Sequence, residues 1–262
     1  MTYALLSKME QNTKTKKNPF DFPITGAILH LAPADAAGVD KDGKPINMCP
    51  WASKGCKAAC LYTAGHASVY PKINAARIRK TQLFANERVA FLYLLVNDLE
   101  KLSADAAKHG TQAVCRPNGT SDVQWEDISV SRNGTEYPNI FAAFPEIQFY
   151  DYTKGVVRLK RCRDIENYTL TFSLSESNDK HAQAALDAGY NVAAVLDAPC
   201  AEWSGRPVIS GDTHDFRFMD PQGGHIVSLT AKGKAKKDTT GFVRNVNGTL
   251  DPSKPVTFAT QA

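Results

Sequence analysis

The most regular hydrophobic pattern in the chain runs from about residue 72 to residue 109. Apolar side chains recur there at the three- and four-residue intervals of one helix face, at Ile73, Ala76, Ile78, Leu83, Phe84, Phe91, Leu92, Leu95 and Leu99. Asn86 or Asn97 could divide the stretch, and Gly110 follows it as a typical helix end. The pattern therefore predicts one long helix or two consecutive helices.

Shorter apolar runs, rich in β-forming residues, lie on both sides of this helical region. One comes first, at residues 26–31, and the later ones are at 112–115, 147–150, 169–174, 191–196, 207–210 and 225–229. Helical stretches at residues 140–144 and 178–188 lie between some of them. Strands that alternate with helices indicate βαβ units, so we expect an α/β fold, either a partial (β/α) barrel or an open, mainly parallel sheet.

Polar and charged residues follow almost every predicted strand. In parallel α/β folds, functional groups collect at the carboxyl ends of the strands. From this position we take as catalytic candidates Arg116, Asp122, Lys154 and Glu176, and as cofactor-binding candidates Asn118, Ser175 and Asp197. The same residue types also form helix caps and turns, which is how we interpret Asn178.

Residues 34–71 show no sustained period and follow the first predicted strand, so we expect a long functional loop there. Its cysteines, separated by six and then three residues, are Cys49, Cys56 and Cys60. Thiolates are soft ligands that suit zinc or iron–sulfur clusters. With His66 they would complete a tetrahedral zinc site. Alternatively they hold a [4Fe–4S] cluster whose fourth iron is open or bound by Cys115 or Cys200, each at a predicted strand end.

Composition sets the cellular context for these cysteines. The 262 residues are 43% hydrophobic and 22% charged, as in ordinary soluble proteins. The longest apolar run, residues 89–96, is too short to cross a bilayer, and no signal-peptide pattern is present, so we expect a cytoplasmic protein without membrane contact. In a reducing compartment, six cysteines favour metal or redox chemistry over disulfides. The net charge of +4 permits an anionic partner without requiring one.

The chain is predicted to hold one α/β domain at residues 25–237, with the metal-binding loop at 34–71. Residues 1–24 are polar and Lys-rich and are expected to be flexible, and residues 238–262 form a C-terminal extension. Asn-x-Ser/Thr sequences occur at Asn118, Asn133, Asn167 and Asn247, and three of them are Asn-Gly-Thr. We interpret them as turns.

Three segments carry a resemblance to a known family. They are Cys49-Pro-x-Ala-Ser-x-x-Cys56-x-x-x-Cys60, Arg116-Pro-Asn118-Gly-Thr-Ser-Asp122 and Tyr150-Asp151-Tyr152-Thr153-Lys154. Together they resemble the phage gene product 88 family over roughly residues 25–237, which implies the host cytoplasm as the location. The pattern is also distantly similar to radical S-adenosylmethionine enzymes, and this likeness implies a partial (β/α) barrel, a [4Fe–4S] cluster in the loop after its first strand, and S-adenosylmethionine as a second candidate cofactor. Cysteine spacing in those enzymes is three and then two residues, so the six-and-three spacing here favours cluster binding over S-adenosylmethionine cleavage.

A redox enzyme is the first function that these features suggest. An electron from the cluster would enter a small or nucleotide-like ligand held at the carboxyl ends of the strands. Arg116 and Lys154 would hold its carboxylate or phosphate. Asp122 and Glu176 would anchor an amine or ribose hydroxyls.

Two other classes of function remain open at this point. In the first, a zinc-stabilised loop binds single-stranded nucleic acid through Trp51 and Tyr62 beside Lys54 and Lys57. In the second, a metal-dependent hydrolase uses Asp212 and His214, with Asp215 and His225 nearby. A polar turn with a capping Asp explains that last group more simply than a catalytic site does.

Overall fold

The computed structural model describes residues 2–9, 22–60, 62 and 70–259. The strands are β1 (Leu6–Lys8), β2 (Ile24–Leu29), β3 (Gln112–Arg116), β4 (Val130–Arg132), β5 (Thr135–Tyr137), β6 (Gln148–Thr153), β7 (Tyr168–Ser173), β8 (Val192–Leu196), β9 (Glu202–Trp203), β10 (Arg206–Ser210) and β11 (Ile226–Thr230). The α-helices are α1 (Lys54–Ala58), α2 (Pro71–Asn86), α3 (Arg88–His109), α4 (Ile140–Ala143), α5 (Val156–Arg161) and α6 (Asp179–Asp187).

Within the described residues, nine strands form one sheet in the order β1-β2-β3-β6-β7-β8-β11-β10-β9. All neighbouring pairs from β2 to β10 are parallel, and antiparallel strands β1 and β9 lie at the two edges. The open, mainly parallel sheet is therefore confirmed. The described strands do not close into a barrel, so the alternative of a barrel is not shown.

The long helical pattern forms two consecutive helices, α2 and α3, which separate at Glu87. Asn86 is the last residue of α2, so the predicted division at this residue is confirmed. Gly110 ends α3 in the left-handed conformation, with φ at 62°, which glycine adopts at little cost.

The main core lies between the sheet and α3. Buried side chains at helical spacing on α3 are Phe91, Leu95, Leu99, Leu102 and Ala106, and they face β2 and β3. Phe84 and Phe91 pack edge to face at 5.0 Å between ring centroids, and Trp125 stacks beside Phe91. Such rings supply much of the apolar burial that stabilises the domain.

A second, smaller core covers the opposite face of the sheet. Ile28, Val114 and Tyr150 project there from β2, β3 and β6 and pack against Phe216. Because side chains alternate between faces along a strand, Cys115 points into the main core while Arg116 lies on the face of the smaller one. The face with the smaller core therefore carries the polar end of β3.

Described parts of both terminal segments make contacts with the domain. Within residues 1–24, which we expected to be flexible, residues 6–8 form the edge strand β1, and Leu5 and Leu6 are buried in the main core. Residues 10–21 lie outside the described part of the chain. At the other end, Arg244 forms a bridge to Leu196, and Ala259 N–H donates to Ala52 O at 2.8 Å. The C-terminal segment thus runs back over the domain to the cysteine loop.

Some short elements were not predicted. Strands β4 and β5 form a hairpin around Asn133 and Gly134, whose φ angles of 52° and 78° are those of a tight hairpin turn. This agrees with our interpretation of the Asn-Gly-Thr sequence at Asn133 as a turn. In the described part of the chain, every helix is too short or too polar to cross a membrane.

Candidate functional site at the carboxyl edge of the sheet

The loops that follow β2, β3, β6 and β7 meet at one edge of the sheet, because these strands are parallel neighbours. We call this region the carboxyl-edge site. It contains six of the predicted residues, namely Cys49, Cys56, Cys60, Asp122, Lys154 and Glu176. Contacts described below connect them.

Glu176 holds the cysteine loop against the end of β7. Its two carboxylate oxygens accept hydrogen bonds from Ser53 Oγ and Gly55 N–H, both at 2.7 Å. Ser53 in turn caps α1 by accepting from Cys56 N–H at 3.1 Å. Glu176 was predicted as a catalytic residue, and the structure gives it a positioning contact with the segment that carries Cys56.

The three loop thiols interact with one another. Burial, with smaller contributions from the nearby Asp122, Cys56 and Cys60, raises the pKa of Cys49 to about 12. Burial also raises the pKa of Cys60, and the nearby Cys56 contributes to this increase. The thiols therefore lie near one another, and the free Cys49 and Cys60 thiols keep their protons at neutral pH.

Lys154 is the cation at the centre of this region. Its Nζ donates to Ser173 Oγ at 2.8 Å, and its backbone N–H donates to Asp122 at 2.9 Å. Burial alone would lower the pKa of Lys154, but the combined influence of Cys56, Asp122 and Cys49 raises it. The ammonium group consequently stays charged beside the thiols.

The other proposed metal ligands have different surroundings. Cys115 is buried in the main core, where burial, Asp151 and Asp98 raise its thiol pKa. Cys200 is partly buried and packs against the same core, while His66 lies outside the described residues. Within the described ranges, no three His, Cys, Asp or Glu side chains are already arranged to hold a metal ion.

A buried ion-pair network centred on Arg158 holds Asp122 in the carboxyl-edge site. Arg158 is completely buried and binds Glu126 through two nitrogens, at 2.8 and 2.7 Å. It also donates to Asp122 at 2.6 Å, and Asp122 accepts from Lys154 N–H. Glu126 holds the guanidinium group by two hydrogen bonds, and the third bond from this group fixes Asp122 at the base of the site.

Asn118 and Asp151 form a second buried support. The Asn118 backbone and side-chain N–H groups donate to the two Asp151 oxygens at 2.8 and 2.9 Å. Tyr168 O–H donates to Asp151 at 3.0 Å. Asn118, predicted to bind a cofactor, thus has its hydrogen-bonding groups directed into the protein, where Ser121 and Trp125 donate to its side-chain oxygen.

Arg116 lies on the opposite face of the sheet from Cys115, beside an acidic partner that the sequence did not reveal. Its Nη1 donates to Asp215 at 2.8 Å, and Tyr150 O–H donates to the same carboxylate oxygen at 3.1 Å. The Tyr152 ring lies 4.8 Å from the Arg116 guanidinium carbon, a cation–π contact. Burial would lower the pKa of Arg116, but Asp215 outweighs it and raises the pKa.

Two further basic residues of this region were missed by the sequence reasoning. Arg77 on α2 stands 5.6 Å from the Tyr62 ring centroid and influences the pKa of Cys60. His30 follows β2, and its pKa is lowered to about 3 by burial and by the charges of Arg77, Arg116 and Lys80. Helical periodicity marks Arg77 only as a polar position, so no sequence signal distinguished it.

The remaining candidates serve mainly to connect segments. Ser175 is buried, and its N–H donates to Asn178 at 2.7 Å. Asp197 is exposed and accepts from the Asn245 side chain and Val246 N–H, so it holds the C-terminal segment.

The residues of the hydrolase and nucleic-acid hypotheses also have structural contacts. Asp212 accepts from Thr230 N–H at 2.7 Å, and His214 Nε2 lies 3.7 Å from Asp220. The Trp51 ring lies against Gly155, and Lys57 pairs with Asp35 at 3.1 Å. These contacts direct Trp51 and Lys57 toward the protein itself.

Comparison with known proteins gives one match. A family model described as Gene product 88 matches residues 4–246, which is most of the chain. No curated protein and no solved structure matches it. The match supports the family resemblance seen in the sequence, whereas the likeness to radical S-adenosylmethionine enzymes receives no support.

Proposed function

The chain belongs to the phage gene product 88 family, and from this premise we propose that it binds an iron–sulfur cluster and acts in redox chemistry on a small anionic or nucleotide-like ligand. The observation that carries the proposal is the convergence of the Cys49, Cys56 and Cys60 thiols beside Lys154. Cys49, Cys56 and Cys60 would be the cluster ligands.

The donor set suits this group chemically. Thiolates are the usual ligands of iron–sulfur clusters, and three of them leave one iron free for a ligand or a further residue. When bound, a cluster supplies one-electron transfer. Because burial keeps the free Cys49 thiol protonated, loading would release its proton and create negative charge that Lys154 offsets.

The protein's own residues would perform the remaining tasks. Glu176 and Ser53 fix the loop segment that carries Cys56. The ion pair between Arg158 and Asp122 keeps the strand-end loops in place. Arg116, already paired with Asp215, faces the same edge and would orient a bound ligand.

Zinc is the second candidate for the same thiols, because three cysteines and one further ligand satisfy a tetrahedral zinc site. His66 would complete that set, as the sequence predicts. The two candidates differ in colour and in chemistry, since zinc is colourless and has no redox activity.

Anaerobic purification tests the proposal. We expect brown protein with about four iron atoms and a similar amount of acid-labile sulfide per chain. Cys56→Ala should lose most of the iron, whereas the matched control Cys162→Ala should retain it, because Cys162 lies after α5 and interacts with Glu126 instead. Cys115→Ala and Cys200→Ala then test the fourth ligand.

The outcomes separate the candidates. Colourless protein that contains zinc would contradict the cluster and support the zinc site. Protein without bound metal after reconstitution with iron and sulfide, or equal iron in Cys56→Ala and the native chain, would overturn the proposal.

A further inference from the structure

A partly buried group of basic side chains lies beside the cysteine loop, and within the described residues some of its nitrogens lack partners. We call it the cationic corner and define it as His30, Arg77 and Arg116. Among the residues that the structure describes, the buried nitrogens without a hydrogen-bond partner are Nδ1 of His30, Nε and Nη1 of Arg77, and Nε of Arg116. Buried donors of this kind are normally satisfied, so each calls for an explanation.

The fold brings these side chains together from separate elements. Ile28 and Arg116 are register partners on β2 and β3, so His30, two residues after Ile28, lies at the same end and on the same side. Gly119 packs against the His30 ring, and a Cβ there would be 2.5 Å from His30 Nδ1. The corner is therefore part of the carboxyl edge of the sheet.

Helix α2 brings Arg77 to the same place. Thr81, one turn after Arg77, donates to Arg77 O at 3.0 Å and accepts from Ala32 N–H at 2.8 Å. This fixes α2 against the loop that follows β2. Arg77, together with Arg116 and Lys80, is close enough to lower the pKa of His30.

Among the described residues, negative charge is scarce around Arg77. Asp215 and Asp151 favour the charge of Arg116, and Asp98 favours that of Lys80. In the described contacts only Tyr62 and Cys60 favour the charge of Arg77, so this guanidinium lacks a carboxylate. Burial lowers the pKa of Arg77 and that of Lys80, the latter to about 8. The sequence of residues 60–71 contains no Asp or Glu.

We propose that the cationic corner binds a small oxyanion, either the carboxylate or the phosphate of a small molecule, with Arg77 as its main ligand. A guanidinium fork matches the planar or tetrahedral oxygens of both groups. His30, kept neutral by its surroundings, supplies one hydrogen bond, and Arg116 supplies Nε–H. The role of this anion as a ligand for redox chemistry rests on the proposed function. Binding of the anion itself requires no metal.

Ligand-dependent thermal stability of the full chain tests the site. Inorganic phosphate and acetate are titrated separately against potassium chloride at equal ionic strength, because binding to the folded state raises the melting temperature. We expect a saturable rise with one of them, and the arm that rises identifies phosphate or carboxylate chemistry. Arg77→Gln should weaken that binding at least about tenfold, since it removes charge-assisted hydrogen bonds.

Arg79→Gln is the matched control. Arg79 is exposed on the same helix, two residues from Arg77, and its removal should leave binding within about twofold. If Arg77→Gln folds poorly, Arg77→Lys replaces it as the test. This variant retains the charge without the fork and should bind the anion more weakly than the native protein.

Two results would overturn the inference. One is the absence of any rise beyond the chloride control in native protein, and the other is equal binding in the Arg77→Gln and Arg79→Gln variants. A chain with Cys49, Cys56 and Cys60 all changed to Ala distinguishes this inference from the metal proposal. If the triple variant still binds the anion and the native protein contains no metal, only the cluster proposal is contradicted. If the native protein contains the metal but does not bind the anion, only the cationic corner is contradicted.

Discussion

Asp151 lies wholly inside the protein, where its carboxylate accepts hydrogen bonds from Asn118 and Tyr168. Burial raises the pKa of Asp151 to about 7, although Arg116 and Arg158 oppose this. An aspartate in an unfolded chain titrates near pH ~3.9. Between these two values the folded protein holds a proton that the unfolded chain has lost.

The stability of the protein should therefore decrease as the pH rises from about 4 to about 7, with this group contributing a slope of at most about 1.4 kcal/mol per pH unit. The stabilisation is complete below the unfolded pKa and is lost as the pH passes the folded pKa. Asp151→Asn should remove this contribution. Urea unfolding at several pH values measures it, and an unchanged slope in the variant would assign the pH dependence to other groups.

Arg158 gives a second prediction at the scale of one residue. Arg158→Met removes the buried cation and leaves the carboxylates of Asp122 and Glu126 without their partner, which should destabilise the protein by about 3–5 kcal/mol. Arg161→Met on the same helix is the control, because Arg161 is exposed and should cost less than about 1 kcal/mol. Equal urea midpoints for the two variants would contradict the role of the network.

Several of the predicted site residues lie together at one edge of the sheet, but their position at strand ends did not indicate their partners. Asp122, Lys154 and Glu176 all follow predicted strands and lie at the carboxyl-edge site. The contact of Arg116 with Asp215 spans 99 positions, and no local pattern carries such information. Arg77 was missed for the same reason, because it reaches the site from a helix whose periodicity reports only its buried face.

At the level of whole elements, regular and long patterns were predictable, whereas short elements were not. The apolar period of residues 72–109 indicated α2 and α3, and β-rich runs indicated the parallel strands. Helix α5 has six residues, three of them basic in its last turn, and Leu159 is buried against the core. Its stability comes from tertiary packing, as that of short helices usually does, so sequence propensity could not identify it.

Helix α1 depends on Glu176 for its position. Glu176→Gln removes the charge that binds Ser53 and Gly55 and should loosen the segment with Cys56. We expect Cys56 to react several-fold faster with iodoacetamide, followed by mass spectrometry, while global stability changes by about 1 kcal/mol. Glu166→Gln, at an exposed loop position, is the control. Equal labelling rates in both variants would show that Glu176 does not restrain the loop.

The order of strands across the whole molecule follows from long-range pairing. Strands β2, β3, β6, β7 and β8 are adjacent in chain order, as consecutive βαβ units predict. Beyond β8 the order changes, because β11 inserts between β8 and β10. The apolar runs of β10 and β11 are alike in length and character, so the sequence could not reveal which of them pairs with β8.

The C-terminal segment connects distant parts of the same edge. Thr257 N–H donates to Ser177 O at 3.1 Å, and Ala259 N–H donates to Ala52 O at 2.8 Å. A chain that ends after residue 255 should remain folded but show faster hydrogen exchange in residues 52–58, because their cover is lost. Removal of residues 260–262 alone retains both bonds and is the control. Unchanged exchange in the shorter chain would contradict the connection.

That contact also has a consequence for how the site is completed during synthesis. Ala259 is added to the growing chain 207 residues after Ala52, the difference between the two positions. At about 5–20 residues per second, the ribosome needs roughly 10–40 s to cover that interval. During this time the loop with Cys49, Cys56 and Cys60 has already been made but lacks the hydrogen bond from Ala259 to Ala52. The C-terminal contact with this loop therefore forms last, after the strands and helices of the domain have been made.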